Sequence, residues 1–426
     1  MRTGPIRVLV VDDSRTTQLI LKRILSSADD IEVVGLAANG REALEMIPRL
    51  DPTVICTDLL MPVMDGFVLT EEVMRRYPRP ILVISSLIGD NNASENFRAL
   101  EAGAVDVFAK PSIGAQLEEM SRELIRNIRI VAGVRVITRR NLPGSRPGAD
   151  RVAGSSASPS PPGDTTPLPR DSGFRRPSPD GSGLVERPAS RPADSGGSLA
   201  GRPLREPTVI RGTEPVRPRR EPLPSLPALR GPVPPGRLPV RMATIGASTG
   251  GPQALQTILG AMPVTFPVPI LCVQHISEGF LKGMVEWLDQ QCSLKVRIAQ
   301  TGELPLPGHV YFPQEDTHLV VDRAGRLMPS FEGPLDGHRP AVTTTFRSVS
   351  RQYGAAALAV LLTGMGRDGA EGMVEIHRAG GFTIAQDEAT SVVWGMPREA
   401  ILRGAVRLTL PVQAIAGTMV QLATSR

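Results

Sequence analysis

Residues 141–240 hold 22 of the 41 prolines in this 426-residue chain and one aromatic side chain, Phe174. A stretch of that composition cannot bury enough apolar surface to offset the entropy of ordering it. It therefore divides the chain, and we expect a disordered, partly polyproline-like linker over 139–238 between folded parts at 1–138 and 239–426. The same stretch carries 15 arginines against 9 acidic residues, an excess larger than the whole formal charge of +5. The basic character thus belongs to the linker, which removes the argument for nucleic-acid binding by the folded parts. A soluble spacer is the simplest role for it.

Both flanks read as strands alternating with helices. On the N-terminal side, strands are predicted at Ile6–Val11, Ile31–Ala37, Thr53–Thr57, Ile81–Ile84 and Val105–Ala109. Helices are predicted at Thr17–Leu25, Arg41–Ile47, Gly66–Arg76 and near Glu95–Ala102. On the C-terminal side, strands are expected at Val240–Ile245, Val268–Gln274, Leu358–Thr363 and Phe382–Ala385. Helices are expected at Pro252–Leu259, Gly279–Gln290 and from Pro397 to Arg403. Continuous apolar strands followed by helices imply parallel sheets covered on both faces, so the expected fold is two doubly wound α/β domains. In such sheets a site forms outside the carboxyl ends of the strands.

Asp12, Asp13, Asp58, Ser85 and Lys110 fall at the ends of four N-terminal strands. Three converging carboxylates repel one another unless a cation joins them, and hard oxygen donors suit Mg²⁺. A carboxylate beside Mg²⁺ can attack a phosphoryl group while an ammonium neutralises the developing charge.

On the C-terminal side, Gly246-Ala247-Ser248-Thr249-Gly250-Gly251 follows a strand and opens a helix. A glycine-flanked serine at such a turn can be pushed out above a sheet as a nucleophile. It needs a base and an orienting acid, and His275 and Asp368 each stand at or just past a strand end. His338, followed by Arg339-Pro340, is the nearest rival histidine; His309 and His318 lie in a turn-rich stretch and His377 in a helix pattern. The glycine-dense Gly364-Met365-Gly366-Arg367-Asp368-Gly369 loop makes the Met365 N–H a candidate oxyanion donor. The order Ser, His, Asp differs from that of α/β-hydrolases, and no Gly-Lys-Ser/Thr follows to make a phosphate loop.

The N-terminal segment resembles the receiver domain of two-component response regulators over about 5–128. The matching elements are Val10–Ser14, Asp58–Gly66 and Ala109-Lys110-Pro111. The resemblance implies that Asp58 accepts phosphate from a CheA-type histidine kinase, with Asp12, Asp13, Asp58 and the Leu60 carbonyl holding Mg²⁺. Ser85 and Lys110 would contact the phosphoryl group. Val107 stands where many receivers carry an aromatic switch residue, and the neighbouring Phe108 is a candidate substitute.

The C-terminal segment resembles the catalytic domain of chemotaxis protein-glutamate methylesterases over about 239–420. Gly246–Gly251, Gln274-His275, Arg339-Pro340, Leu362–Ala370, Ala385–Thr390 and Gly395–Ala400 carry the likeness. It implies Ser248 as nucleophile, His275 as base, Asp368 as orienting acid and Thr249 as a positioning residue, with no cofactor in this domain. The implied reactions are hydrolysis of glutamate γ-methyl esters on chemoreceptor cytoplasmic helices and deamidation of receptor glutamines. The chain departs from the family pattern at Ile276, usually methionine, and at Thr343, often aspartate. The unphosphorylated receiver is expected to cover the Ser248 face.

No apolar stretch reaches the ~18–20 residues that span a bilayer, and Met1–Pro5 runs into a strand without signal-peptide features. Cys56, Cys272 and Cys292 form no ligand spacing, so reduced thiols in a cytoplasmic monomer without membrane insertion are expected. Two other classes are weighed: a DNA-binding regulator, for which no helix-turn-helix pattern is visible, and a serine hydrolase unrelated to signalling, which leaves the receiver unexplained.

Overall fold

The structure is a computed structural model that describes residues 4–86, 97–111, 117–134, 136 and 239–425. The expected linker lies outside the described residues. The two α/β parts belong to one compact unit.

The N-terminal part has five parallel strands in the order β2-β1-β3-β4-β5. These are β1 (Ile6–Val11), β2 (Ile31–Ala37), β3 (Val54–Thr57), β4 (Ile81–Ser85) and β5 (Asp106–Ala109), all but β2 nearly or wholly buried. Helices α1 (Arg15–Leu25), α2 (Gly40–Leu50), α3 (Gly66–Arg76), α4 (described over 97–102) and α5 (Leu117–Ala132) cover them. Ser14, Asn39 and Asp65 cap α1, α2 and α3 by accepting the N–H three residues on. Each cap satisfies one of a helix's orphan donors and so fixes where the helix begins.

The C-terminal part has seven parallel strands in the order β14-β13-β12-β6-β7-β9-β8. They are β6 (Met242–Ala247), β7 (Ile270–Gln274), β8 (Lys295–Ile298), β9 (His309–Phe312), β12 (Ala357–Leu361), β13 (Phe382–Gln386) and β14 (Leu408–Leu410). A separate antiparallel hairpin pairs β10 (His318–Val321) with β11 (Leu327–Ser330). The helices are α6 (Gly251–Ala261), α7 (Leu281–Gln291), α8 (Val342–Tyr353), α9 (Ala370–Arg378), α10 (Met396–Leu402) and α11 (Val412–Thr424). The doubly wound reading therefore describes both sheets. It missed α5, α8, α11, β8–β11 and β14, and touched α9 only through the helix pattern around His377; His309 and His318, read as turn residues, open β9 and β10.

Strand order reverses between β6, which leads on to β7, and its other neighbour β12. A crevice opens at such a switch point because the helices after the two strands lie on opposite faces. Ser248 follows β6, and the Gly364–Gly369 loop follows β12.

Among the described residues no helix is long and apolar enough to cross a membrane.

Candidate functional site

The Ser248 turn is held by its backbone. Its N–H donates to Thr363 O at 3.0 Å, and its carbonyl accepts Gly251 N–H at 2.7 Å and the Gln274 side-chain amide at 2.9 Å. Gly250 has φ +75°, a left-handed conformation that favours glycine, and a Cβ there would also strike Val392 at 2.5 Å. Across the crevice, a Cβ on Gly364 would come within 2.7 Å of Ser248 Cβ. Two glycines thus let three loops converge on one half-buried hydroxyl.

His275 follows β7, anchored by its N–H to Ala247 O at 3.0 Å. Its Nε2 donates to Asp368 Oδ2 at 2.8 Å. Its Nδ1 is buried without a hydrogen-bond partner, so this nitrogen is the one left to accept a proton. Asp368 is buried and saturated: Oδ2 also accepts Val342 N–H at 2.7 Å, and Oδ1 accepts Thr343 and Gly369 N–H at 2.9 and 2.8 Å. Val342 and Thr343 are the first two residues of α8, whose N-terminus has no side-chain cap of its own. A carboxylate there satisfies orphan donors and meets the positive end of the helix dipole. Burial alone would raise the Asp368 pKa. The His275 hydrogen bond and charge, with the Thr343 contacts, outweigh it and hold the carboxyl well below the usual range.

The other histidines have different duties. His318 is fully buried, accepting Ala341 N–H at 3.0 Å through Nδ1, and His309 Nδ1 faces Pro307 O at 2.9 Å. His338, the rival base, lies face to face on His275, with ring centroids 3.9 Å apart and planes 10° from parallel. Sequence reasoning missed this stack and the α8 donors. Only the Arg339-Pro340 string beside His338 and the departure at Thr343 pointed towards them.

Ser248, Thr249, His275, His338, Arg339 and Met365 line a cleft of about 420 Å³. Thr249 is nearly buried, whereas Met365 is 39% exposed. Among the described residues the Met365 N–H has no backbone or side-chain acceptor, which leaves it available to the cleft. The opposite wall belongs to the N-terminal part: Asp106 and Val107 of β5, and Glu123, Arg126 and Asn127 of α5. Around the cleft, Gln253 of α6 donates to Ala104 O and Val105 O at 2.9 and 3.2 Å. Phe97 of α4 stacks on Trp287 of α7 at 5.7 Å.

In the N-terminal part, Asp12, Asp13 and Asp58 each bring a carboxylate oxygen within 4.8 Å of the others. The Lys110 ammonium bridges Asp12 at 2.8 Å and Asp58 at 2.7 Å. Burial, and secondarily the Asp12 charge, raise the Asp58 pKa despite Lys110. Burial works against the charged Lys110, but its bonds to both carboxylates leave its pKa raised. An oxygen-only donor set that crowded fits a small hard dication such as Mg²⁺. Ser85 closes β4 and is buried; Leu60 lies in the loop after β3 with its side chain half exposed. Strand alternation sends Val107 and Phe108 to opposite faces of the sheet, Phe108 into the core beside Ile84 and Val10. Phe108 therefore does not stand in for an aromatic at position 107.

Residues 243–419 match the CheB methylesterase family model and residues 8–122 the response regulator receiver domain model. A Geobacter metallireducens protein-glutamate methylesterase/protein-glutamine glutaminase is 34% identical over 99% of this chain and 100% of its own length. A protein of the same name from Anaeromyxobacter dehalogenans is 36% identical over 96% of this chain and 95% of its own. The crystal structure of the Thermotoga maritima CheB methylesterase catalytic domain aligns with 43% of this chain and all of that one, at 36% identity and TM-score 0.42.

Proposed function

The chain belongs to the protein-glutamate methylesterase/protein-glutamine glutaminase family, and we propose that it hydrolyses glutamate γ-methyl esters on chemoreceptors under control of its phosphorylatable receiver. The observation that carries this reading is the His275–Asp368 bond, which leaves a buried, unpartnered Nδ1 in the cleft that Ser248 lines.

Ser248 Oγ attacks the γ-carbonyl carbon as His275 Nδ1 takes its proton. Asp368 holds the imidazole in the tautomer that carries its proton on Nε2 and stabilises the imidazolium that forms. The Met365 N–H faces the developing oxyanion, and Thr249 helps to shape the turn. His275 returns the proton to the leaving oxygen and methanol departs. Water then cleaves the acyl-serine, again through His275, to give the glutamate carboxylate. Glutamine enters the same cycle with ammonia as leaving group. No step calls for a cofactor in this domain.

In the receiver, Asp12, Asp13, Asp58 and the Leu60 carbonyl would hold Mg²⁺, which when bound neutralises phosphoryl charge. Asp58 accepts the phosphoryl group from a histidine kinase of the CheA type, and Lys110 and Ser85 contact its oxygens. Residues 1–138 would act as the switch, 239–426 as the enzyme and 139–238 as the spacer, in one cytoplasmic monomer. The substrate would be the cytoplasmic helices of a methyl-accepting receptor. The α5 wall over the cleft supports a receiver that excludes those helices until Asp58 is phosphorylated.

The test is methanol release from methylated receptor by the full chain and by Ser248→Ala. Loss in the variant is expected; release at the wild-type rate by Ser248→Ala overturns the assignment.

A further inference from the structure

We propose that His338 is a positioning residue of the reaction: its ring, stacked on His275 at 3.9 Å, fixes the plane of the catalytic imidazole and faces the positive charge that forms there. The proposal rests on the triad reading above and deepens it.

The placement of His338 is built into the fold at three points. Leu335 and His338 exchange both backbone hydrogen bonds, at 3.1 and 3.0 Å. Between them Asp336 and Gly337 both have positive φ, 51° and 80°. That is a two-residue turn of the type for which Asp-Gly is favoured, and it aims the residue after the glycine in one direction. Arg367, next to Asp368, grips the Asp336 carboxylate from Nε and Nη2 at 3.1 and 2.7 Å. Arg339 grips Asp316 with Nε and Nη2 on its two oxygens, at 2.8 and 2.6 Å, whereas both Arg367 donors meet Oδ1 of Asp336. The turn is thus tied on one side to the loop that carries Asp368, and on the other to the loop before β10. Single exposed ion pairs contribute little. Two such pairs, each made by two hydrogen bonds and flanking a fixed turn, nevertheless leave the ring little freedom to leave its partner.

The chemistry favours an uncharged ring at this position. Burial, then the neighbouring His275, pushes the His338 pKa down to about 4. Asp368 and Asp336 pull the other way, and Arg126 of α5 adds to the depression. His338 is therefore neutral wherever a Ser–His–Asp site works. A neutral aromatic face presented to a forming cation is attractive, whereas a second cation there would oppose it. The flat contact also restrains rotation of His275 about its ring axis. That rotation would break the Nε2–Asp368 bond and turn Nδ1 from the serine.

The test uses the phosphorylated full chain and two variants of His338, with thermal unfolding measured for each. His338→Leu removes the aromatic face; His338→Phe keeps it without a titrating nitrogen. In His338→Leu, kcat is expected to fall about tenfold with KM within about twofold, and the acid limb of the rate profile to move to lower pH. His338→Phe recovers most of the loss. Independently of turnover, the low-field proton signal of the His275 Nε2–H is expected to be sharp in the wild type and His338→Phe and broadened in His338→Leu. Wild-type kcat, acid limb and proton signal in a folded His338→Leu protein overturn the proposal. So does a His338→Phe protein as impaired as His338→Leu. The esterase reading fails separately, through a Ser248→Ala protein that still releases methanol, and the Nε2–H signal decides the role of His338 even then.

Discussion

Trp287 donates its indole N–H to the Glu101 carboxylate at 3.2 Å, joining α7 of the catalytic part to α4 of the receiver. The same carboxylate accepts Gln256 of α6 at 3.2 Å, so one receiver side chain is gripped by two catalytic helices. Hydrogen bonds to a charged acceptor contribute about 1.5–3 kcal/mol each, and the stacked Phe97–Trp287 rings add area burial and edge complementarity. Neither Glu101 nor Trp287 lines the Ser248 cleft, so the contact can set receiver affinity without touching the reacting groups.

Trp287→Phe keeps the ring and deletes the donor. We expect basal methanol release by the unphosphorylated chain to rise about three- to tenfold, with the phosphorylated rate unchanged. Parallel assays before and after phosphorylation check this. An equal rise in both states would place the effect in the catalytic part instead.

Asp368→Asn should leave the shape and change the charge. An amide cannot accept the Nε2–H of His275 and the α8 N–H groups equally well, and it favours the wrong imidazole tautomer. A fall in kcat on the order of 10³–10⁴ is expected, with KM little altered. Stability should follow the depressed pKa of Asp368. A carboxyl ionised more readily folded than unfolded stabilises above its unfolded pKa of about 4 and loses that benefit as pH falls further. The melting-temperature gap between wild type and Asp368→Asn should therefore be widest near neutrality and narrow below about pH 4.

These residues also mark how far the sequence was legible. Ser248, His275 and Asp368 stand out because strand ends in a parallel sheet point to one side, and a strand ending in a chemical residue is visible locally. The α8 N-terminus that receives Asp368 is not, because Val342 and Thr343 approach it from 26 and 25 positions away. Likewise His338 could be read only as a rival base, since stacking depends on a turn geometry that Asp336-Gly337 suggests but cannot aim. Strands β8 to β11 have four residues each, too few for a period to declare itself. The contact between Glu101 and Trp287 left no trace, because a surface glutamate reads the same whether solvated or gripped.

Asp106 of β5 lies in the cleft wall between the two parts, and burial pushes its pKa up to about 7. Its folded form keeps a proton that the unfolded chain releases near pH 4. Stability is then full below about pH 4 and declines as pH rises towards 7, because the unfolded chain gains by ionising while the half-buried folded carboxyl keeps its proton. Asp106→Asn removes the titration. Between about pH 5 and 8 the unfolding free energy of Asp106→Asn should fall less steeply than that of the wild type, as denaturant titration at each pH would reveal. Parallel slopes would mean that Asp106 is ionised throughout.

Metal removal should separate the two sites. Asp12, Asp13 and Asp58 sit within 4.8 Å of one another, and on the proposed reading phosphorylation of Asp58 would need a dication to quiet that repulsion. The Ser248 cleft is lined by Ser248, Thr249, His275, His338 and Met365 against Glu119 and Glu123 of α5, and the acyl-transfer cycle proposed there would move its proton through His275. EDTA added before the phosphodonor should therefore abolish the phosphorylation-stimulated increment of methanol release. Basal release should stay within about twofold of its starting value, because in the proposed cycle the proton is carried by His275 without a metal. Asp13→Ala, at the exposed edge of the cluster, should raise the Mg²⁺ concentration needed for half-maximal stimulation by about tenfold while sparing basal release. A basal rate that collapses in EDTA and returns with Mg²⁺ would relocate the metal to the esterase itself.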